Sequence, residues 1–347
     1  MLRSGDGVSV RQVVGCWVNE RWRAECALSP ALGRITGLSW LDLHNRRERI
    51  SLGSGPEARS CLWPDSSMLT VARIFPDVGG RLLARAACDW PFRFERAPRD
   101  PEGIPSASIV IPVAGLERRP QFEVVLQSFF AQSVTTLEIV VVEQSQVQEY
   151  REKCRPPIRY IHIERKAGQA FNKSKALNAG ARAAAGPVLI LHDADIVVPV
   201  KYVESALDRT TAGYDGMQPM RYLFYLDEAS AKDFVNGGSA QLPRRVAAVG
   251  HNFPGGSTVV TAKAYWKIGG ADERFEERGG DDNDFLGRLK TRRFFAGGYL
   301  PAIHLWHPTD PTFHNRDEME AFKERQLRKS PDQRIRELRG GAQAASG

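Results

Sequence analysis

Pro187–Ile196 reads PVLILHDADI, an apolar run that passes directly into two carboxylates. A strand covered on both faces reads as a continuous apolar run rather than as an alternation, and such strands belong to parallel sheets. The run therefore places Asp193 and Asp195 just past the end of a buried strand. Two carboxylates one residue apart in that position are costly unless a cation or hydrogen-bond donors compensate them. A hard divalent metal bridging to a diphosphate would do so, because oxygen ligands suit Mg2+ and Mn2+. The simpler alternative is a cap, with an aspartate bonding the free N–H groups where a helix begins.

The segments before this run repeat one pattern. Ser108–Val113 (SIVIPV) is a buried-strand run, and Phe122–Gln132 follows with Val125, Phe129 and Phe130 at helical spacing. Leu137–Val142 (LEIVVV) reads as a second buried strand and Ile158–Ile163 as a third, alternating one. Ser174–Ala185 (SKALNAGARAAA) is a helix of small residues that leads into the fourth strand, at Pro187–Leu191. Repeated β-α-β units imply an α/β fold with a mainly parallel sheet flanked by helices, and ligands bind beyond the carboxyl ends of its strands.

Two further clusters carry chemistry. In GGDDNDFLGRL, Asp281, Asp282 and Asp284 follow a Gly-Gly turn and open an amphipathic helix with Phe285, Leu286 and Leu289. Carboxylates suit a helix N-terminus, but three acids in four residues exceed what capping needs, and one is placed to act as a general base. Gly255 and Gly256, in HNFPGGSTVV, permit close backbone approach to a ligand. In HLWHPTD, His304 and His307 lie three residues apart and can converge on one metal if the local turn allows it. A structural histidine is the alternative for each.

The first hundred residues differ in texture. They hold five of the seven tryptophans and four of the five cysteines. Their apolar runs are short and broken by turn residues, as in SLGSGPEARSCLWPDSS, which predicts a small β-rich accessory domain over residues 1–100. Arg96–Pro105 (RAPRDPEGIP) reads as a linker into a catalytic domain over 101–313, and a helix with a flexible tail is expected over 314–347. Across all 347 residues, 42% are hydrophobic and 26% charged, as in a soluble globular chain.

The formal charge of +7 suits an anionic ligand, yet no nucleic-acid motif or clustered basic stripe accompanies it, so nucleic acid is not an expected partner. Five cysteines without regular spacing argue against a disulfide framework or structural zinc. Met1–Gln12 lacks the apolar core of a signal peptide, and no stretch approaches the roughly 18 apolar residues of a membrane span. A cytoplasmic protein is expected, soluble or attached peripherally to a membrane.

From about Ser106 to Asp310 the chain resembles GT-A glycosyltransferases of the β1,4-galactosyltransferase and chondroitin-polymerase type. The segments that carry the resemblance are VVVEQS (Val140–Ser145), FNKSKALNAG (Phe171–Gly180), HDADI, and FPGG…IGGADERFEERGGDDNDFLGRL, in the family's order and spacing. The resemblance implies a GT-A nucleotide-diphospho-sugar transferase fold and a UDP-sugar donor whose site takes in Pro112, Glu143, Ala194 and Gly256. It further implies that Phe171 stacks on uracil, Lys173 faces the phosphates where the family usually has Arg, and Asp193 approaches the ribose and metal. Asp195, His304 and His307 would hold Mn2+ or Mg2+. Asp282 would be the catalytic base, with Asp281 holding the acceptor.

The chain departs from the family pattern twice. Pro112 is followed by Val113, Ala114 and Gly115 rather than by an early arginine, leaving Arg118 or Arg119 to serve after a loop shift. Arg278 stands where relatives carry a tryptophan beside the acceptor, which favours an anionic or otherwise different acceptor. The function implied is an inverting, metal-dependent transfer of galactose or N-acetylgalactosamine to a hydroxyl of a glycan, as in polysaccharide synthesis. The alternative is a catalytically silent nucleotide- or carbohydrate-binding protein of the same fold.

Overall fold

The computed structural model describes residues 9–62, 66–95, 97, 103–237, 241–276, 279–308 and 316–344. The chain forms two compact units that are interleaved in sequence. The first takes residues 1–92, 220–253 and 296–306, and the second takes 93–219, 254–295 and 307–347.

The second unit is built on a seven-stranded sheet. In chain order its strands are Ala107–Val113, Leu137–Ser145, Arg159–Glu164, Val188–His192, Gly216–Met217, Ser257–Thr261 and Phe294–Phe295. Numbered that way, they lie side by side as three-two-one-four-six-five-seven. The first four are mutually parallel; apolar runs in the first, second and fourth predict this, and the alternating third lies at the sheet edge. The sixth runs antiparallel to both its neighbours, with Ser257 opposite His192. That reversal sets the Gly255–Gly256 turn beside the end of the fourth strand, where Asp193 N–H donates to the Gly256 carbonyl at 2.9 Å.

The small residues of the helix Lys173–Ala183 let it lie close on the sheet. A Cβ at Gly180 would stand 2.3 Å from Val110 Cγ1, so no larger residue fits without displacing the helix. Val110, Val140, Val142, Leu189 and Val260 from the sheet and Ala176, Tyr265, Ile268 and Leu289 from flanking elements form one buried core. The expected C-terminal helix is two helices, Arg316–Arg328 and Pro331–Ala344.

The first unit corrects the reading of residues 1–100 as β-rich. Its amino-terminal part is mostly helical: Val10–Cys16, a π turn at Trp17–Arg21, then Trp22–Leu28, Pro30–Thr36, Thr70–Ile74 and Pro76–Asp89. Among its described residues, only Ile50–Leu52, Arg59–Cys61 and Ser67–Met68 are strands. The proline and glycine taken as strand breakers do other work. Pro30 and Pro76 occupy first helical turns, where a missing N–H costs nothing. Gly79 and Gly80 let the helix Pro76–Asp89 approach Val246 and the Arg244 carbonyl, to which a Cβ would stand at 2.3 and 1.8 Å.

Nor is this part self-contained. Ser67–Met68, Ala248–His251, Met220–Tyr225 and Leu300–His304 form consecutive strands, so residues far along the chain complete its sheet. Trp40 is buried there, its indole N–H on Asp89 at 2.7 Å. Tyr222 donates to the Leu43 carbonyl at 2.6 Å, and Arg221 donates to the Leu41 and Leu43 carbonyls at 2.9 and 2.7 Å. All five cysteines are free thiols. Among the described residues, no helix is long and apolar enough to cross a membrane.

A chain shortened to begin at Pro101 would keep Arg221 and Tyr222 but lose the carbonyls they bond, stranding buried polar groups at about 1–3 kcal/mol each. Hydrogen exchange should show the 220–253 segment unprotected in that truncation and protected in the full chain. Equal protection in both would mean that residues 1–92 are a dispensable module.

Candidate active site

The fourth strand ends in a turn that is fixed before any ligand arrives. His192 is buried, with Nε2 at 2.7 Å from the Ile196 carbonyl and Nδ1 at 2.7 Å from Ser257 Oγ. A carbonyl only accepts, so Nε2 carries the proton and Nδ1 accepts from the serine. Burial pushes the His192 pKa down to about 4, so the ring is neutral and the bonding pattern is constant near neutrality. Tyr202 Oη extends the chain to Ser257 at 2.6 Å. HDADI is thereby pinned at both ends, and Asp193 and Asp195 are presented from a rigid turn.

Lys173 is the first residue of its helix, close to the positive end of the helix dipole, where a cation is unfavourable. It is held there by carboxylates from two other segments. Its Nζ lies 2.7 Å from Asp193 Oδ1 and 3.2 Å from Asp282 Oδ1. Burial works against the ammonium charge, but Asp193, then Asp282 and Asp281, outweigh it and hold the pKa well above the ordinary lysine value. The cation thus links the first D-x-D carboxylate to the acid cluster opposite. These residues, with Gly256, Thr258 and Phe285, line one cleft.

The acid cluster divides by role. Asp284 is buried and takes Arg288 Nη2 at 2.6 Å and Arg334 Nη1 at 2.5 Å, while Arg288 also donates to the carbonyls of Ile268 and Gly270 at 2.7 Å. It is a structural anchor. Asp281 and Asp282 stand on the first turn of the helix Asp281–Leu289, after Gly280 at φ 88°. A Cβ at Gly255 would lie 2.1 Å from Asp282 Oδ2, so the glycine leaves room for that carboxylate. Burial, then the charge of Asp282, raises the Asp281 carboxyl to about 6, against the opposing pull of Lys173.

A second group gathers on Asp195, which is buried. His307 Nε2 lies 3.1 Å from Asp195 Oδ2, and Arg118 Nη1 lies 3.5 Å from the same oxygen. His307 Nδ1 is 2.8 Å from the Pro308 carbonyl, so Nδ1 carries a ring proton and Nε2 is the nitrogen that meets the carboxylate. Two acceptors at that distance call for a proton or a cation. An imidazole whose far nitrogen bonds a backbone carbonyl, facing a carboxylate oxygen, is a fitting partial ligand set for Mn2+ or Mg2+.

The remaining expected residues fall as follows. Ala194 is buried in the turn between the two aspartates, Gly256 has φ 90°, and Pro112 is buried in the first strand opposite Val142. Phe171 is half-buried, just ahead of the helix cap Asn172. Glu143 departs from its expected place as a donor contact. Its oxygens already accept from Ser145 Oγ, Glu149 N–H, Tyr150 N–H and Tyr160 Oη at 2.5–3.1 Å, because it folds the turn after its strand. Four donors fill a carboxylate. His304 ends the strand Leu300–His304 of the first unit, its ring 4.8 Å from Tyr225. Arg278 lies outside the described residues, as do Thr309 and Asp310.

Several positioning residues were missed. Gln144 pairs through its side chain with both backbone groups of Asn172, at 2.7 and 3.0 Å, fixing the approach to Lys173. Asn178 bonds the Ala271 carbonyl and N–H and Tyr265 Oη, which ties FNKSKALNAG to the GGADER loop. Its place inside that motif was the signal available. Of the two arginines offered as the strand-one contact, Arg118 reaches the site, whereas Arg119 lies 3.5 Å from Glu123.

Residues 108–269, somewhat under half of the chain, match the family model described as glycosyl transferase family 2. The match spans the first six strands and the D-x-D turn, and the sheet is that of the GT-A fold, mixed but mostly parallel and flanked by helices. Among solved structures the chain is similar to a mannosyltransferase of Pyrobaculum calidifontis in complex with GDP-Man and Mn2+. Identity is 17% over 78% of this chain and 84% of that one, with a TM-score of 0.39. No curated protein sequence matches the chain.

The Asp281 carboxyl yields a stability prediction. Its pKa is about 6 in the folded chain against an ordinary 3.8, so the native state binds that proton more tightly than the unfolded state. Stability from this group is therefore present at low pH and lost as pH rises toward 6. Asp281→Asn should raise the melting temperature of the ligand-free protein at about pH 7–8 and leave it unchanged near pH 4. A uniform shift at both pH values would assign the effect to packing instead.

Proposed function

We propose that the chain is a divalent-metal-dependent, inverting glycosyltransferase that moves a hexose from a UDP-sugar to an acceptor hydroxyl, with galactose or N-acetylgalactosamine favoured by the motif resemblance. The observation that carries the reading is the Lys173 bridge. One ammonium joins the D-x-D carboxylate Asp193 to Asp282 across a single cleft, within a chain whose residues 108–269 match a glycosyltransferase family.

The chemistry follows from these groups. The donor's diphosphate is attracted to Lys173 and to the free N–H groups that open its helix. Phe171 offers an aromatic face to uracil, and Asp193 a carboxylate to the ribose. Asp282 takes the proton of the acceptor hydroxyl as its oxygen forms the bond to the anomeric carbon. The bond from that carbon to the β-phosphate oxygen breaks, and UDP leaves with the electron pair. Attack opposite the leaving group inverts the anomeric centre. Lys173 stabilises the charge growing on the departing oxygen. A divalent cation held by Asp195 and His307, with His304 three residues earlier as a further candidate ligand, would supply additional neutralisation there. Asp281, its carboxyl raised to about 6 by burial and the Asp282 charge, can donate a hydrogen bond to the acceptor when protonated.

Asp282→Asn should keep donor affinity while lowering transfer by about 10²-fold or more, since only proton transfer is lost. UDP release from UDP-galactose, UDP-N-acetylgalactosamine, UDP-glucose and UDP-glucuronic acid with Mn2+ tests the wild-type activity. Absence of metal-dependent UDP release from the whole panel, with or without glycan acceptors, would favour a silent binding protein.

His307→Ala should weaken Mn2+ binding to the UDP-saturated protein and depress activity, with partial rescue at high Mn2+. Metal and UDP should enhance one another's binding reciprocally. Calorimetric titration reads this directly, and unchanged Mn2+ affinity in the variant would remove the histidine from the metal site.

A further inference from the structure

Fourteen large hydrophobic residues are exposed among the described residues, and seven of them fall between Val10 and Ile35. Half of the exposed apolar side chains thus come from under a tenth of the chain. Val10, Val14, Trp17 and Val18 follow the i, i+4, i+7, i+8 spacing of one helical face, with exposures of 79, 56, 63 and 56%. The π turn Trp17–Arg21 then matters. Its hydrogen bonds close over five residues rather than four, so Trp22 comes round near the face of Trp17 instead of rotating away. Trp22 is 53% exposed. The opposite side, with Cys16, Ala24, Ala27 and Leu28, is buried. This is an amphipathic helical segment whose apolar stripe faces outward as well as inward. Leu32 and Ile35, on the next helix, are exposed in the same unit.

The charges on this segment are sorted. Between Ser9 and Thr36 there are two acids, Glu20 and Glu25, and each has arginine beside it. Glu25 is held by Arg21 at 2.8 Å and Arg81 at 2.6 Å. Glu20 is partly buried, accepts from the Arg46 backbone N–H and lies near the Arg23 and Arg46 charges. Arg11, Arg34 and Arg46 remain exposed. The outward surface therefore combines tryptophan and valine with arginine, and the carboxylates of residues 9–36 lie beside arginines. Tryptophan is the side chain best suited to a membrane–water interface, and cationic residues beside it favour anionic headgroups.

We propose that the outward face of Val10–Trp22, with the exposed arginines Arg11 and Arg34 of the same segment, is a docking surface for an anionic lipid bilayer, on which the chain lies without spanning it. The proposal is independent of the transferase reading, since it concerns only the first unit and is measured without turnover.

The test is flotation of the full-length protein with unilamellar vesicles of phosphatidylcholine alone or mixed with phosphatidylglycerol, alongside tryptophan emission. The wild type should float with the mixed vesicles and shift its emission to shorter wavelength. Binding to phosphatidylcholine alone should be weaker by about tenfold or more, and added salt should erode the difference. The double variant Val14→Asp with Trp17→Asp should bind mixed vesicles at least about tenfold more weakly while retaining the wild-type melting temperature, because both side chains are exposed. Arg11→Gln with Arg34→Gln should remove most of the preference for phosphatidylglycerol and leave the weak binding to phosphatidylcholine.

Failure of the wild type to float with the mixed vesicles would overturn the proposal. So would equal flotation of the aspartate variant. Sedimentation showing a dimer that the aspartate variant dissociates, with no lipid binding by either, would give the face to a second copy of the chain instead.

Discussion

The ammonium of Lys173 is the interaction around which the second unit is organised. Three carboxylates, Asp193, Asp281 and Asp282, face one cleft, and without a cation among them their mutual repulsion and desolvation would force protons onto them or open the site. Lys173 sits at the wrong end of a helix for its charge, and the acids sit at strand and helix ends that need a counter-charge. Each is tolerated because of the other. A helix N-terminus carrying a lysine is also a good place for a diphosphate, so the arrangement that neutralises the cleft is suited to exchange carboxylates for phosphate oxygens.

Holding that cluster requires a frame, and most of the polar residues in the recognisable motifs serve it. Gln144 grips the backbone at Asn172. Asn172 caps the helix through the Lys175 N–H at 2.8 Å and reaches the Glu273 carbonyl at 2.7 Å. Asn178 binds the loop at Ala271, and Arg288 threads between Asp284 and two loop carbonyls. On the other side, Tyr202, Ser257 and His192 fix the D-x-D turn. The side chains that face the cleft form a small minority, and their placement comes from the buried hydrogen bonds their neighbours make. The same frame accounts for Asp284, the third acid of its cluster, which two buried arginines consume and which is thereby kept out of the cleft chemistry.

Interleaving of the two units has a further consequence. The chain leaves the second unit after residue 219, returns at 254, leaves again at 295 and comes back at 307. The strands Met220–Tyr225, Ala248–His251 and Leu300–His304 therefore belong to a fold begun by residues 9–92. A sequence reading that assigns contiguous blocks to domains has no means of anticipating this, because strand pairing is set by contacts across more than a hundred residues and not by local pattern.

The sequence alone determined the α/β class, the four parallel strands and the place of Asp193 and Asp195, since doubly covered strands must be apolar throughout and polar residues then mark their ends. It also pointed, through ordered motifs, to Lys173, Asp282 and Gly256, which the structure places on one cleft. It misread residues 1–100 as strand-rich, because proline at a helix start and glycine at a helix contact look the same locally as turn residues. Glu143 and Asp284 look like chemistry in one dimension, and only the folded chain reveals the internal donors that consume them. The fate of a carboxylate depends on which groups meet it in space. Likewise, an apolar helix face reads as core by its spacing, and only the packing of the whole chain decides that Val10, Val14, Trp17 and Trp22 are left facing out.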